Sequence, residues 1–450
     1  MRPNHLVATI VAAAVLTSTS VGAQQASDTT ARRQQRALDS LATALRTLQT
    51  RMDSLEHARA SASTAAAPVR TSGAYMNVSF VGLTDFGWSS TPDVESLQKG
   101  DHDPKVRGFS HRNAELSLDG AVDPYFKGVT NIVYKLDNNG ETSVELEEMF
   151  VLTTALPANL QLKVGQFFAE FGRQNPQHPH SWGFADQPLV LNRMFGPDGL
   201  RSQGVRLSWL LPTDFYTEAS LAVLNSSGGA ASSFRSEESG LIHGGAALDR
   251  QVKDLGDMLY VPRVATSFEL NDTQTLVLGA SGAFGPNNSG VNTSTKIYGG
   301  DLYWKWKSTH ADQGFPFVSV QSEYIFRHYD AAKRAAVEDL EAPRPPGTAV
   351  PQLAAQTLKD DGAYAQILWG IQPRIVAGFR GEFAHADKST FVSADRADRT
   401  RWSPNLTWYP TEFSKFRVQY NFDHRTGIGE DHSLWFQFEF LLGAHAAHKF

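Results

Sequence analysis

The 450-residue chain contains no cysteine. That excludes a disulfide-stapled secreted scaffold, a thiolate-ligated zinc site and a cysteine nucleophile. Apart from an apolar run at 6–16, no stretch approaches the roughly 20 apolar residues that a membrane helix needs. The net charge is only −6, from 41 basic and 47 acidic residues, so no global field draws the chain to nucleic acid. Catalytic signatures are missing as well. There is no Gly-x-Ser-x-Gly elbow, and the Gly-rich stretch at 227–230 lacks the Gly-Lys-Ser/Thr helix start of a phosphate-binding loop. No catalytic residue, cofactor or metal ligand is therefore assigned. His445 and His448 are three apart, which on a strand puts them on opposite faces. The pair His178 and His180 has better spacing for a metal but no carboxylate cluster beside it in the sequence.

What is present is 27 Phe and 36 Gly, a mixture suited to strands and turns. Arg2 and His5 precede the apolar run, and Val21-Gly22-Ala23 has the small residues of a cleavage site, so residues 1–23 are expected to be an export signal. Between 24 and 60, the residues Leu38, Leu41, Leu45, Leu48, Met52 and Leu55 alternate spacings of three and four. This heptad seam predicts a short coiled-coil helix that associates with its own copies. Residues 61–74 are small, polar and proline-marked, and are expected to be a linker.

From Tyr75 the period changes to two. Phe416, Val418, Tyr420 and Phe422 fall on one face; Lys415, Arg417, Gln419 and Asn421 fall on the other. The segments 296–307 and 374–383 alternate alike. Short turns occur at Val122-Asp123-Pro124, Pro157-Ala158-Asn159, Pro212-Thr213-Asp214, Asn271-Asp272-Thr273, Ile371-Gln372-Pro373 and Pro410-Thr411-Glu412, with a longer one at 310–316. Between them lie longer polar connections near 89–106, 137–143, 170–202, 226–257, 287–294, 330–361, 387–399 and 425–430. Short and long alternate throughout. The pattern predicts an all-β fold over 75–450: an antiparallel transmembrane β-barrel of about sixteen strands. In hydrocarbon every backbone polar group must be paired, so such a sheet has to close on itself.

Two stretches carry a family resemblance: VELEEMFVLTTALPANLQLKVGQFFAEFGRQN at 144–175 and FGPDGLRSQGVRLSWLLP at 195–212. They resemble the phosphate-selective porin O and P family of Gram-negative outer membranes, as a divergent branch. The resemblance implies a sixteen-strand barrel, a homotrimer in outer-membrane lipid with the N-terminal helix in the periplasm, and a lumen narrowed by the third long loop. It also implies that Phe450 belongs to a signal read by the barrel-assembly machinery.

Loop length puts 170–202 inside the lumen, where Arg173, Arg193 and Arg201 are pore-lining candidates together with His178 and His180. Strand periodicity adds Arg206, Lys305, Arg327, Arg374, Arg380, Lys415 and Arg417 as lumen-facing bases. Glu115, Asp119, Asp301, Glu323 and Glu382 share that face. The mixed signs leave two readings open, an anion-preferring or phosphate-preferring channel and a general pore for small hydrophilic solutes. A barrel acting through its outer loops as an adhesin or enzyme is the alternative of a different class.

Overall fold

The computed structural model describes residues 75–94, 97–121, 123–136, 141–235, 247–336, 349–387 and 396–443. The expected signal, coiled coil, linker and terminal Phe450 lie outside these residues.

Sixteen antiparallel strands close into one barrel. In chain order they are β1 Tyr75–Ser89, β2 Gly108–Ala121, β3 Phe126–Leu136, β4 Thr142–Thr153, β5 Leu160–Phe168, β6 Arg201–Leu210, β7 Tyr216–Leu224 and β8 Leu259–Asn271. They continue as β9 Gln274–Pro286, β10 Ser294–Asp312, β11 Phe315–Ala331, β12 Gln356–Gln372, β13 Ile375–Ala386, β14 Arg399–Thr411, β15 Ser414–Arg425 and β16 Gly429–Gly443. Each strand pairs with its sequence neighbours, and β1 closes on β16 from Ser79↔Gly443 to Ser89↔Ser433.

Alternation follows from closure. In β16, Asp431, Ser433, Trp435, Gln437 and Glu439 are buried inside, while Leu434, Phe436 and Phe438 are exposed on the outer surface. In β11, Ser319, Gln321, Glu323, Ile325 and Arg327 point inward and Tyr324 points out. The outer face is aromatic near both rims. Phe416 packs on Trp408 and Phe438 with centroids 5.7 and 4.7 Å away at the short-turn end. Phe86 meets Phe109 at 4.6 Å toward the opposite end. Such belts suit the boundary between lipid and water.

Two connections are tighter than the sequence pattern predicts. The strands run up to Asp312 and from Phe315, leaving Gln313 and Gly314 as a two-residue turn with both φ positive, 49° and 91°, the conformation that matches strand twist. The last connection is 426–428, because Gly427 and Gly429 take φ of 78° and 136°. Within the connection from β11 to β12, Arg334–Ala335 pairs with Gln352–Leu353 as a small ribbon.

The barrel interior is not simply wet. The β5–β6 connection enters it and carries helix α1, Leu189–Phe195, all of whose residues are buried. Phe171, Val190, Leu191, Met194 and Phe195 from this loop pack with Phe234 and with the inward Ala222, Leu259, Ile297, Ile325 and Tyr364 of the wall. A dry core thus fills part of a lumen that the alternation pattern reads as polar throughout.

Candidate functional site

The 169–200 loop is the site's backbone, and inward side chains of the strands hold it. It enters over β11. Gly172 donates its N–H to Ser281 Oγ at 3.1 Å, and Glu323 Oε1 accepts the amides of Arg173 and Gln174 at 3.0 and 2.7 Å. Gly172 has φ 62° and a Cβ there would collide with the Glu323 carboxylate, so a side chain at this position would be strained and would push away the group that holds the loop.

Further along, the loop lies on β13–β15. Lys415 donates to His180 O at 2.7 Å, Arg417 to Trp182 O at 2.8 Å and Asn405 to Gly183 O at 2.9 Å. The hub is Asp186. Arg380 ion-pairs with it, Arg401 lies 3.1 Å away, and Gln419 and Asn421 donate to it at 2.8 and 3.0 Å. Burial opposes charge on Asp186, but Arg401, Arg380 and Lys99 outweigh it and hold the carboxyl well below the usual carboxylate range. Glu382 accepts from Arg380 and Arg401 at 2.9 and 2.7 Å and from the Leu189 amide at 2.7 Å. Arg327 pairs with Asp360 at 2.6 Å and donates to Arg193 O at 3.0 Å.

These contacts reassign the basic residues nominated from the sequence. Arg327, Arg380, Lys415 and Arg417 do face inward, but all are buried and hold the loop or its neighbours. Arg193 donates to Ala397 O at 2.8 Å, and burial lowers its guanidinium to about 10. Arg201 ion-pairs with Glu145, and Arg206 with Glu170. Arg173 is half-buried, its guanidinium 3.8 Å from the Tyr303 ring centre. Lys305 is half-buried 5.0 Å from the Phe317 ring centre. Arg374 is not on a strand: it occupies the β12–β13 turn at φ 72°, exposed, donating to Pro410 O at 3.0 Å. Toward the short-turn end, Lys127 pairs with Asp119 at 2.9 Å and remains partly exposed.

At β2 and β4 the loop meets a carboxylate cluster that the sequence pattern did not associate with His178 and His180. Glu115 comes from β2. Glu147 and Glu148 come from a bulge in β4 where the register against β3 shifts between Asn131 and Ile132. The bulge breaks the alternation, so both consecutive carboxylates are buried on the inner face. Glu148 accepts the amide of Phe168 at 3.0 Å and the Asn131 side-chain amide at 3.1 Å. His178 Nε2 lies 2.9 Å from Glu148 Oε2, and its Nδ1 lies 3.3 Å from Glu115 Oε2 and 3.0 Å from Glu147 Oε2. His180 stacks on His178 with centroids 5.7 Å apart and puts Nδ1 3.4 Å from Glu115 Oε2. His102, from the β1–β2 connection, sits 3.2 Å from Glu147 Oε1. Burial resists charging His178, but Glu115 and Glu147 more than offset it and raise the imidazole well above its ordinary value. The His-Pro-His spacing and the inward direction of Glu115 were legible in the sequence. The shared inner face of Glu147 and Glu148, and their meeting with the histidines, need the strand register and the bulge.

No family model matches the chain. A protein of Aquifex aeolicus (strain VF5) with the name "Uncharacterized protein" is 33% identical over 365 residues, covering 76% of this chain and 70% of its own. Among solved structures, the outer membrane channel DcaP of Acinetobacter baumannii aligns with a TM-score of 0.51 at 11% identity, over 83% of this chain and 99% of its own. The anion-selective porin from Comamonas acidovorans aligns with a TM-score of 0.50 at 8% identity, over 82% of this chain and 100% of its own. At these identities the likeness is one of fold: the barrel is of the outer-membrane porin type.

Proposed function

The chain belongs to one family with the Aquifex aeolicus protein, and we propose that it is an outer-membrane channel for passive diffusion of small hydrophilic solutes. One observation carries the reading: a closed barrel with an apolar outer belt takes a long loop into its interior and fixes it there with charged side chains. An adhesin that acts through its outer loops has no need to anchor a loop inside. The path for solute runs past the groups that loop anchoring leaves partly accessible, among them Arg173, Lys305, Lys307 and Lys127. Asp119 offsets Lys127, and the positive charge of Arg173, Lys305 and Lys307 supports an anion preference, phosphate included, as the resemblance to the phosphate-selective porins implies.

In this reading the segment 24–60 is a periplasmic coiled coil that helps three copies associate. Its heptad seam supports this, as does the start of β1 beside the short turn between β2 and β3. Residues 1–23 are the export signal, 61–74 the linker, and Phe450 the assembly signal.

Single-channel recording of the purified protein in a planar bilayer tests the function. Discrete conductance steps are expected, with a reversal potential in a salt gradient that favours anions. A protein that inserts but never conducts refutes the channel, and a cation-favouring potential refutes the preference.

A further inference from the structure

We propose that His178, Glu115 and Glu147, with His180 beside them, bind a divalent first-row transition metal ion, zinc being the best fit. The inference stands on donor geometry and holds whether or not the barrel conducts.

The first argument is spacing. A tetrahedral zinc with bonds of roughly 2.0–2.1 Å has donors about 3.3 Å apart. Here His178 Nδ1 is 3.3 Å from Glu115 Oε2 and 3.0 Å from Glu147 Oε2, and His180 Nδ1 is 3.4 Å from the same Glu115 oxygen. The ligand atoms of Glu115, Glu147 and His178 all lie within 4.8 Å of one another.

The second argument is what these atoms fail to do. Glu115 and Glu147 are each 1% exposed, yet Glu115 Oε2 and both oxygens of Glu147 make no hydrogen bond. Nor does His178 Nδ1. The nitrogen is near the oxygens, but no N–H direction joins them. The nearby imidazoles offset the charge of the two carboxylates, but buried oxygens that accept no hydrogen bond remain costly. A cation at the shared point satisfies all of them at once.

The third argument is the tautomer. Glu148 Oε2 sits 2.9 Å from His178 Nε2 and accepts its N–H, so Nδ1 is the nitrogen that faces Glu115 and Glu147 and that a metal ion would take in exchange for its proton. A carboxylate behind a histidine, fixing its free nitrogen toward a metal, is the usual outer partner of such sites. Mixed imidazole and carboxylate donors favour zinc and its neighbours over calcium or magnesium.

A nearby group of Asp101, His102 and Asp198 has comparable spacing but carries its own cation. Lys135 ion-pairs with Asp101 and lies 3.9 Å from Asp198. Among the described residues, no lysine or arginine forms an ion pair with Glu115 or Glu147.

The full-length protein, folded in detergent and stripped with chelator, is titrated with zinc by calorimetry and then analysed for metal. One tightly held zinc per chain is expected. His178→Ala and Glu147→Gln should each weaken binding more than about 10-fold, while Glu145→Gln, which pairs with Arg201, should leave it unchanged. Heat-modifiable gel mobility checks that each variant barrel is folded. Cobalt bound to the unsubstituted protein supplies a readout free of variants: a tetrahedral visible spectrum is expected. Absence of zinc from the folded protein, binding indifferent to both substitutions (as when zinc sits on His445 and His448), or a purely octahedral cobalt spectrum would each overturn the site.

Discussion

Glu382 Oε2 accepts the backbone N–H of Leu189 at 2.7 Å, so a strand carboxylate holds the first residue of the luminal helix. The other oxygen of Glu382 accepts from Arg380 and Arg401. Glu382→Gln removes the charge from this junction. Breaking a buried pair by removing one partner costs about 3–5 kcal/mol, and the barrel's backbone ladder is untouched. The expected outcome is a folded, heat-modifiable barrel whose loop is loose. Single-channel conductance should rise and become noisier. An unchanged trace would mean that α1 is held by its apolar contacts alone.

Selectivity should reside in Lys305 rather than in Arg380. Lys305 is half-buried on the inner wall, whereas Arg380 is only 1% exposed and engaged with Asp186 and Glu382. Lys305→Glu is expected to move the reversal potential toward cations with little change in conductance. Arg380→Gln is expected to change conductance first, because it releases the loop. The same measurement in a salt gradient reads both.

Acid should release the loop at its hub. Asp186 has a folded-state pKa held below its ordinary value, so its stabilisation is complete above the unfolded carboxylate's pKa of about 3.9 and is lost as pH falls through the lower folded value. The groups facing it are Lys99 and Asp103 from the β1–β2 connection, Arg380, Arg401, and the amides of Gln419 and Asn421. For this anchor, conductance should stay flat from neutral pH down to about 4 and change only below that. Asp186→Asn should show the acid behaviour already at neutral pH. A transition of the unsubstituted protein near neutrality would assign the control to other groups.

The outer surface makes a depth-dependent prediction. Phe379 lies mid-strand on β13, exposed and stacked on Trp402 at 5.9 Å. Arginine there should cost about 2–4 kcal/mol of folding stability in vesicles, while Phe416→Arg, close to the β14–β15 turn, should cost roughly 0–1 kcal/mol. Urea-dependent refolding into lipid measures both. Equal costs would argue against a membrane belt centred on Phe379.

The barrel itself was legible because one face of every strand meets hydrocarbon, which enforces a period of two from Tyr75 to Gly443. The luminal loop was legible from its length. Its fastening was not. Arg380 and Asp186 are 194 positions apart, and only the shear of a closed sheet brings them together. That Glu147 and Glu148 share the inner face was not legible, because a bulge shifts parity by one and no residue type marks that bulge. Arg374 was assigned to a strand because it continues the alternation of β13, although the turn extends one residue further than the pattern implies. Lumen-facing arginines read as a conduction ladder because periodicity gives direction but not partners. Direction was right for Arg327, Arg380 and Arg417, and the loop carbonyls that occupy them lie far off in sequence.

The seam between β1 and β16 has a consequence for biogenesis. β1 is the first strand of the barrel to be made, yet its second neighbour is the last strand, from Ser433 to Gly443. A ribosome that stalls before this point releases a ribbon with two raw margins, each able to graft onto another polypeptide. Nascent chains therefore need a chaperoned passage until the final strand has been translated, and a nonsense mutation even a dozen codons early should yield debris rather than a smaller barrel.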